Sequence, residues 1–398
     1  MDPVLVVDAV RTPIGRFGAS LAALPAVALG EAAVRGLLQR IPGLEEGGEG
    51  AVDLLCFGHA RQAGCGPNPA RQVVRRAGLG DATPALTVNQ ACASGLQALQ
   101  LAADALRLGR ARVAVAGGME SMSRVPFLLD RMREGYRLGD AAVVDAMYRD
   151  GFLCPLADMV MGETAELLAR ERGISREEQD RFALESQQKA ARALEEGRFR
   201  EEIVPVTVPA RKGGATEVAA DEHPRPSTTL EKLGRLPPVF DPGEGTVTAG
   251  NSSGITDGAA ALLLTTASEA ERRGWEPLAV FEAAALAGCD PRRMGLGPVP
   301  ATRRLLEGTG LGLEDFDLVE LNEAFAAQVL AVLQDLPLER SRLNVLGGAI
   351  ALGHPIGCTG ARIVVTLLHE MRRRQLRRGL ATLCVSGGLG MSAAFRRP

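Results

Sequence analysis

Lysine is almost missing from this sequence of 398 residues. Only Lys189, Lys212 and Lys232 occur, and arginine supplies the rest of the 45 basic side chains. The formal net charge is −3, so the chain lacks the positive field that favours binding to nucleic acid or to an anionic membrane. Contacts with an anionic ligand must therefore come mostly from arginine or from backbone N–H groups.

Signals for disulfide bonding, secretion and membrane insertion are also missing. The seven cysteines are an odd number and widely scattered, which is typical of reduced thiols in a cytosolic protein. The N-terminal stretch MDPVLVVDAV carries Asp2 and no basic segment before a long apolar run, so we expect no signal peptide. No apolar stretch approaches the length of a membrane span. These absences predict a cytoplasmic protein.

Two familiar site patterns are absent or incomplete. No G-x-G-x-x-G motif follows the first predicted strand, which argues against an enzyme that binds a dinucleotide. Cys56, His59 and Cys65 could supply zinc ligands, but no second pair of ligands stands at the spacing of a zinc site. We therefore expect no metal ion.

Hydrophobic patterns predict an α/β protein of two or three domains. Val4–Val10 predicts a buried strand, while Val27–Ile41 and Ala93–Gly109 predict helices. Strands that alternate with helices indicate a parallel sheet. The central part, from Ser121 to Thr246, holds charged helices followed by a loop stretch rich in proline and glycine, which predicts an insertion over the core.

The end of the chain repeats the beginning. DLLCFGHARQ at Asp53 matches DLVELNEAFAAQ at Asp317, NQACASGLQAL matches LGHPIGCTGARIV, and RVAVAGGMESMS matches ATLCVSGGLGMSA. The second match aligns Ser94–Gly95 with Thr359–Gly360, and the third aligns two pairs of glycines. Three matches in the same order and at similar spacing indicate two copies of one α/β unit, packed as a pseudo-dimer.

Cys92 and His354 are candidates for a nucleophile and its base. Cys92 follows the strand-like LTVNQ and precedes a helix, and a helix N-terminus stabilises a thiolate. His354 lies between glycines ahead of another helix, where an imidazole can accept a thiol proton. Taken alone, each has a structural alternative: a buried cysteine and a histidine that caps a helix.

Cys384 and Asn322 also stand at the ends of predicted strands, where ligands collect in α/β sheets. Taken alone, Cys384 is more typical of a core and Asn322 of a helix cap. Together, two thiols and one imidazole at the strand ends of a doubled sheet predict covalent acyl transfer. One thiolate would carry the acyl group and the other would move a proton. A Cys–His peptidase would explain neither Cys384 nor the repeat.

The sequence resembles the thiolases over essentially its whole length. Seven segments in family order carry the resemblance: VRTPIGRFGASL, NQACASG, GGMESMS, GTVTAGNSSGITDGAA, LNEAFAAQ, GGAIALGHPIGCTGAR and CVSGGLG. The resemblance implies an α/β fold with a duplicated βαβ core, two similar halves in five α-β-α-β-α layers, and an inserted loop domain. The implied boundaries are residues 1–120 plus 247–270 for the N-terminal half, 121–246 for the loop domain and 271–398 for the C-terminal half.

The resemblance also implies catalytic roles. Cys92 would be the nucleophile, His354 the base that activates it, and Cys384 the group that exchanges a proton with the α-carbon of acetyl-CoA. Asn322 would hold a water that, with His354, stabilises the enolate-like thioester oxygen. The backbone N–H groups of Cys92 and Ser386 would form a second oxyanion hole. Ser386 stands where the family often has glycine, so its side chain could alter the backbone geometry there.

Coenzyme A is implied as a substrate, with no metal or redox cofactor. Arg225 in EHPRPSTT would lie near the nucleotide, and Ser253 in AGNSSG would touch the pantetheine amide. Short-chain acetoacetyl-CoA members often carry a histidine where this sequence has Val160, so we expect a more apolar acyl site. The residues implied along the tunnel are Met161, Phe240, Ala249, Ala324 and Phe325, each of which could also be simple core packing.

We therefore expect a thiolase that reversibly cleaves 3-ketoacyl-CoA with CoA to acyl-CoA and acetyl-CoA, within fatty acid metabolism such as β-oxidation. One alternative is an acetyl-CoA C-acetyltransferase that forms acetoacetyl-CoA. Another is a protein that binds acyl-CoA without catalysis, which would lack the nucleophile. A ketoacyl synthase shares the doubled fold but would place two histidines beside its cysteine. Family analogy implies CoA and acyl-CoA as partners and a homo-oligomer, either a dimer or a homotetramer.

Overall fold

The computed structural model of the chain describes residues 2–48, 50–210 and 213–398. Its first part alternates strands with helices, as the hydrophobic patterns predict. Each long helix turns an apolar face toward the sheet and leaves polar residues outside. The elements of this part are β1 (Val4–Arg11), β2 (Gly15–Arg16), α1 (Ala26–Leu38), β3 (Leu54–Gly58), α2 (Pro69–Arg76), β4 (Ala85–Val88), α3 (Ser94–Arg107) and β5 (Val113–Ser121).

The central part is mainly helical, with short strand pairs. A capping box begins its longest helix, because Ser175 Oγ accepts from Glu178 N at 3.2 Å and the Glu178 carboxylate accepts from Ser175 N at 2.8 Å. The predicted loop stretch contains a short hairpin of β10 and β11, which corrects that expectation. The elements are β6 (Phe127–Leu128), β7 (Val144–Asp145), β8 (Leu153–Cys154), β9 (Met159–Val160), α4 (Met161–Arg172), α5 (Arg176–Glu195), β10 (Val206–Pro209), β11 (Ala215–Val218) and α6 (Leu230–Gly234).

The last part returns to the sheet. One strand and one short helix complete the first half, and the second half follows. In the described residues, no helix is both long enough and apolar enough to cross a bilayer. The elements are β12 (Thr256–Thr266), α7 (Ala267–Arg273), β13 (Ala279–Gly288), α8 (Pro298–Thr309), β14 (Leu318–Leu321), α9 (Ala326–Asp335), α10 (Ala349–Leu352), α11 (Ile356–Arg374), β15 (Arg378–Val385) and β16 (Leu389–Arg396).

Ten of the described strands form one mixed sheet, in the order β14-β15-β16-β13-β1-β12-β5-β3-β4, with β2 beside β12. The six short strands of the central part form three separate pairs, β6 with β7, β8 with β9 and β10 with β11. Parallel pairing is confined to β3 with β4, β3 with β5, and β14 with β15. The expectation of a parallel sheet is therefore wrong for the middle strands. β15 returns as β16 through a tight turn at Gly387 and Gly388, which makes these neighbours antiparallel. β12 enters only after the central part and runs antiparallel to both β5 and β1.

The strand order is symmetric about the junction of β1 and β13. Outward from it, β12, β5 and β3 correspond to β16, β15 and β14, with the same relative directions. Asp53 and Asp317 also correspond, because each Oδ2 accepts two consecutive backbone N–H groups, of residues 112–113 and 377–378, at 2.7 and 3.0 Å. The topology confirms the predicted internal repeat.

Helices α3 and α11 cross between the two half-sheets. A Cβ on Gly95 would stand 2.7 Å from the backbone N of Ala361, and one on Gly360 would stand 2.5 Å from the backbone N of Leu96. Apolar side chains of both helices pack against strands of both halves. Helices α1 and α2 cover the outer face of one half-sheet, and α8 and α9 cover that of the other. The layers therefore run α-β-α-β-α, as the resemblance implies.

A buried ion network ties the central part to the core. Arg11, at the end of β1, is 0% exposed. Its Nε donates to Glu202 Oε1 at 2.6 Å, and its Nη atoms donate to the two carboxylate oxygens of Asp221 at 2.7 and 2.8 Å. Asp221 also accepts from Ile14 N at 2.8 Å. Two segments distant in sequence are thereby held against the first strand.

Candidate functional site

A tight turn between β4 and α3 presents Cys92. It consists of a single turn of 3-10 helix, Ala91–Ala93. Ala91 has a positive φ of 43°, which is uncommon for a residue with a Cβ. Side chains on both sides hold this conformation. Asn89 Oδ1 accepts from Ala91 N at 3.1 Å, and Ser94 Oγ accepts from Gln90 N at 2.9 Å while donating to Ala91 O at 2.6 Å. A strained backbone that its surroundings maintain is typical of a functional residue.

His354 faces Cys92 from the second half. It lies between α10 and α11, and its Nε2 is 3.3 Å from Cys92 Sγ. The preceding Gly353 has φ 99°, and a Cβ there would stand 2.3 Å from Thr256 Cγ2, so glycine is required. This is not the strand end expected from the repeat. The counterpart of β4 is reduced to an isolated bridge between Val319 and Leu343.

Hydrogen bonds fix the tautomer of His354. Its Nδ1 is 2.7 Å from Thr359 Oγ1, and that hydroxyl is 3.0 Å from Pro355 O. A carbonyl only accepts, so the single hydroxyl proton goes to Pro355 O and the oxygen accepts the proton of Nδ1–H. The lone pair of Nε2 is then left facing the thiol of Cys92. His354 is therefore oriented as an acceptor for the Cys92 proton.

Burial keeps both members of this pair neutral. Desolvation raises the pKa of the Cys92 thiol, against the lowering effects of Arg61 and of the backbone N–H groups of Ser386 and Cys92. Desolvation lowers the pKa of His354 to about 3, helped by Arg362 and Arg61. In the free protein desolvation outweighs these favourable contacts, so Cys92 rests as a thiol, and stabilisation of its thiolate by the helix terminus stays a prediction. The proton must move during the reaction.

Cys384 and Ser386 approach the same point from the end of β15. Cys384 is buried, and its pKa lies well above the ordinary value because of desolvation and the nearby Cys92. The backbone N–H of Ser386 lies close to the Cys92 sulfur, where it lowers the pKa of the thiol. Among the described residues, positive φ values near this turn belong to Gly387 and Gly388, not to Ser386. A serine therefore fits the backbone where the family often has glycine.

Asn322 follows β14, as predicted, and is buried. Its backbone N–H donates to Thr382 O at 3.0 Å. Neither the Oδ1 nor the Nδ2 of its side chain has a hydrogen-bond partner among the described residues. A buried amide without protein partners suits a group that holds a water or a substrate oxygen.

Cys92, Cys384 and His354 open into one cavity of about 250 Å³. Ser253 lines it, and its N–H donates to Ala324 O at 3.0 Å. Val160 lines it from the start of α4. The residues named from the sequence that line this cavity are Cys92, Val160, Met161, Phe240, Ser253, Ala324, Phe325, His354, Cys384 and Ser386.

Arg225 and Ala249 line a neighbouring cavity. The segment from Ala249 to Gly254 separates the two spaces, with Ala249 and Gly250 on one side and Ser252 to Gly254 on the other. Ala249 therefore lines the second cavity and not the one that contains Cys92, and its contact with CoA stays a prediction. Lys232 and His223 lie beside Arg225 in this second cavity. The sequence analysis did not predict a role for Lys232. The signal was available, because lysine is rare in this chain.

Glu120 and Arg61 are further site residues that sequence reasoning missed. The fully buried Glu120 carboxylate accepts from the N–H groups of Ala60 and Arg61, each at 3.1 Å, and of Gly357 at 2.8 Å. It thus joins the loop after β3 to the start of α11. Glu120 lies inside the GGMESMS segment, which was the available signal. Arg61 lines the main cavity.

The zinc alternative has no structural support. In the described parts of the chain, no group of three His, Cys, Asp or Glu side chains is placed to hold a metal ion. Cys56 is buried, and desolvation raises the pKa of its thiol to about 12. His59 instead lies with Nε2 3.2 Å from Glu120 Oε1.

Comparisons with known proteins agree with this geometry. The model of the thiolase N-terminal domain matches residues 4–268, and that of the thiolase C-terminal domain matches residues 275–397. The acetyl-CoA acetyltransferase of Pseudomonas aeruginosa is 51% identical over 397 residues, 100% of both chains. That of Escherichia coli K12 is 50% identical over 398 residues, again 100% of both.

Solved structures are similar over the same length. The crystal structure of the Bacillus anthracis acetyl-CoA acetyltransferase has a TM-score of 0.96 and 43% identity, covering 100% of this chain and 99% of that one. Human mitochondrial 3-ketoacyl-CoA thiolase has a TM-score of 0.95 and 41% identity, with the same coverage. Both names refer to CoA thioesters, acetyl-CoA in the first and 3-ketoacyl-CoA in the second.

Proposed function

The chain belongs to the thiolase family and is an acyltransferase, and from this premise we propose the residues that perform its reaction. The contact of 3.3 Å between His354 Nε2 and Cys92 Sγ, beside Cys384 in one cavity, carries the proposal. Cys92 is the nucleophile, His354 its base and Cys384 the second acid–base group. These roles extend the family assignment to named atoms.

In the cleavage direction, the Cys92 thiol gives its proton to His354 Nε2 as its sulfur attacks the keto carbon of 3-ketoacyl-CoA. The bond between the keto carbon and the α-carbon then breaks. The acyl group remains on Cys92 as a thioester, and acetyl-CoA leaves as an enolate that takes the Cys384 proton. The thiol of an incoming CoA gives a proton to Cys384 and attacks the thioester. The proton on His354 returns to Cys92 as acyl-CoA departs.

Hydrogen-bond donors are available for both oxygen atoms that become negatively charged in the proposed reaction. The N–H groups of Cys92 and Ser386 serve the oxyanion formed on the acyl carbonyl. Protonated His354, with a water held by the unpartnered Asn322 amide, serves the enolate oxygen. One such donor contributes about 3 kcal/mol of transition-state stabilisation elsewhere. These side chains account for every proton and electron pair, so we propose that no metal or redox cofactor takes part.

Separate half-reactions test these roles. Cys92→Ser should lose covalent acylation by acyl-CoA, measured by intact mass, together with cleavage. Cys384→Ala should still be acylated by a simple acyl-CoA but should fail at carbon–carbon cleavage. Cys65→Ser, which lies outside the cavity, is the matched control. An active Cys92→Ser enzyme that is acylated at another residue would refute the assignment, and a protein that binds acyl-CoA without turnover would support the non-catalytic alternative.

We propose a 3-ketoacyl-CoA thiolase of broader chain length over a dedicated acetoacetyl-CoA synthase. Val160 supports this, because it turns an apolar side chain to the cavity beside Met161. The names of the relatives support both substrate classes. Val160→His adds a polar group and should shift the ratio of cleavage rates toward four-carbon substrates. An unchanged chain-length profile across 3-ketoacyl-CoA substrates would remove this argument.

We propose that CoA extends from the cavity of Arg225 and Lys232 toward Cys92, passing Ser253. Two basic side chains suit phosphate groups. The tunnel walls of Met161, Phe240 and Phe325 suit the pantetheine arm. Ala249 lies on the nucleotide side of this path.

A homo-oligomer and a cytoplasmic location are also part of the proposal. Exposed apolar residues concentrate in one stretch of the central part, which suits contact with a second copy: Phe127, Leu129, Met132, Leu138 and Val143. Native mass spectrometry would distinguish a dimer from a tetramer. A nucleophilic Cys92 needs a reducing compartment, and degradation of fatty acyl chains by β-oxidation is the metabolic setting that fits the broader chain length.

A further inference from the structure

The main cavity contains one charge that takes no part in the proposed proton transfers, although it lowers the pKa values of Cys92 and His354. Of its described lining residues, Arg61 alone carries a permanent charge, and most of the others are apolar or glycine. Arg61 is 8% exposed. Placing a guanidinium in such surroundings is costly unless an anion pairs with it.

Among the described residues, no carboxylate lies within salt-bridge distance of Arg61. Its Nε has no hydrogen-bond partner, and its Nη1 makes a long contact of 3.4 Å with Ala60 O. The nearby Glu120 is occupied by three backbone N–H groups and His59. The guanidinium therefore makes no salt bridge in the free protein, and Glu120 attracts it only from beyond salt-bridge distance.

The surroundings fix where this guanidinium points. It lies against Gly151, where a Cβ would stand 2.5 Å from its Nε and Nη2. Glycine at position 151 thus leaves room for the arginine. The adjoining wall is an apolar cluster of Ala60, Met122, Met147 and Ile356, on which Cys92 also packs. Arg61 consequently faces the region of the main cavity next to the nucleophile.

We propose that Arg61 binds a carboxylate at the far end of the substrate acyl chain, so that the preferred substrates are 3-ketoacyl-CoA thioesters of dicarboxylic acids. This rests on the proposed function, since it specifies the acyl group that Cys92 carries. On the proposed path of CoA its phosphates lie near Arg225 and Lys232 in the other cavity, so the carboxylate and not a phosphate is the proposed partner of Arg61. A planar guanidinium pairs with a carboxylate through two parallel hydrogen bonds.

Selection of a terminal carboxylate by Arg61 can be tested with two 3-ketoacyl-CoA substrates that both have six-carbon acyl chains. One chain ends in a carboxylate and the other in a methyl group. The wild-type enzyme should cleave the carboxylate substrate with a kcat/KM about 100-fold higher, because it pairs an otherwise unpaired buried charge. Arg61→Met should reduce this ratio to about one or below. Arg61→Lys should retain part of it. Arg124→Met, which removes an exposed arginine outside the cavity, should keep the wild-type ratio.

Acylation alone gives a second readout. A four-carbon acyl-CoA that ends in a carboxylate should acylate Cys92 faster than butyryl-CoA, with release of one CoA per enzyme, and Arg61→Met should abolish the difference. Intact mass distinguishes the two adducts. This measurement does not require carbon–carbon cleavage.

The outcomes separate the two proposals. If wild-type enzyme cleaves the methyl-terminated substrate and shows no preference for a carboxylate at six or eight carbons, Arg61 has another role and this inference fails alone. If Arg61→Met slows both substrates equally, the guanidinium serves the Cys92 thiolate and the inference also fails. If neither substrate is cleaved, the proposed function fails and this inference fails with it.

Discussion

At the scale of single residues, the reactive pair depends on burial more than on charge. Desolvation acts on both partners, raising the pKa of Cys92 and lowering that of His354 to about 3. The pair therefore rests as thiol and imidazole, and His354 remains a base down to acidic pH. Protonation of His354 would not explain a loss of activity between pH 5 and pH 7.

The sequence predicted Cys92, His354, Cys384 and Asn322 because each lies at the end of a predicted strand or ahead of a predicted helix, within a short segment that resembles the thiolases. It did not predict Arg61 or Glu120. Their importance comes from burial and from partners such as Gly357, 237 residues away from Glu120. Local patterns report backbone geometry, whereas the pairing of a buried charge depends on the tertiary fold.

Thr359 is predicted to position His354 rather than to touch the substrate. Thr359→Val removes the acceptor for Nδ1–H at nearly constant volume, so the imidazole can rotate or change tautomer. We expect kcat to fall about 10- to 100-fold, with little change in the KM for CoA. Steady-state kinetics in both directions would measure this split.

Thr302→Val is the matched control for this prediction. Thr302 is buried, and its hydroxyl bonds to Ser392 Oγ at 2.9 Å, away from the site. The Thr302→Val variant should have a lower free energy of unfolding but a kcat close to that of the wild type. Wild-type kcat in Thr359→Val would show that the tautomer is fixed by something else.

At the scale of elements, strand and helix positions followed the hydrophobic pattern to within a few residues. The first predicted strand ended at Val10 and the observed one ends at Arg11, while the predicted helix Ala93–Gly109 is Ser94–Arg107. Strand direction could not be read in this way. The hydrophobic pattern is the same for parallel and antiparallel central strands, and direction depends on connections such as the turn at Gly387 and Gly388.

The crossing of α3 and α11 predicts a strong effect of one methyl group. In Gly95→Ala, the new Cβ meets backbone atoms of α11, which cannot move aside as a flexible side chain can. We expect a loss of at least about 2 kcal/mol in the free energy of unfolding. Activity should fall as well, because Cys92 and His354 precede these two helices.

Gly308→Ala provides the opposite result within the same protein. Gly308 lies in α8, and a Cβ there would meet no heavy atom within 4 Å. This change should stabilise the protein by about 0.5 to 1 kcal/mol. Denaturant unfolding of both variants would test the comparison, and equal stability would contradict the close approach at Gly95.

At the scale of the whole molecule, the site exists because two repeats are joined face to face. Cys92 comes from the first repeat, and His354 and Cys384 come from the second. The repeat matches in the sequence predicted this convergence. The domain boundaries inferred from resemblance remain a prediction, although β12, within residues 247–270, does lie beside β5 and β1 in the first half-sheet.

The central part must keep a fixed position over this site, and the Arg11 network supplies one constraint. Arg11→Met would leave Glu202 and Asp221 as buried carboxylates without their cation. We expect a loss of about 3 to 5 kcal/mol in the free energy of unfolding. Faster hydrogen exchange should appear near residues 199–222, because their anchor on β1 is lost.

Arg181→Met is the matched control, since Arg181 pairs with Glu177 on the exposed face of α5. Exposed pairs of this kind contribute little, so its melting temperature should stay at the wild-type value. If Arg11→Met had the same melting temperature as this control, the buried network would not hold the central part in place. Binding of a CoA thioester gives a second measurement. Arg11→Met should bind it more weakly, because the central part is released from β1, while Arg181→Met should bind it as the wild type does.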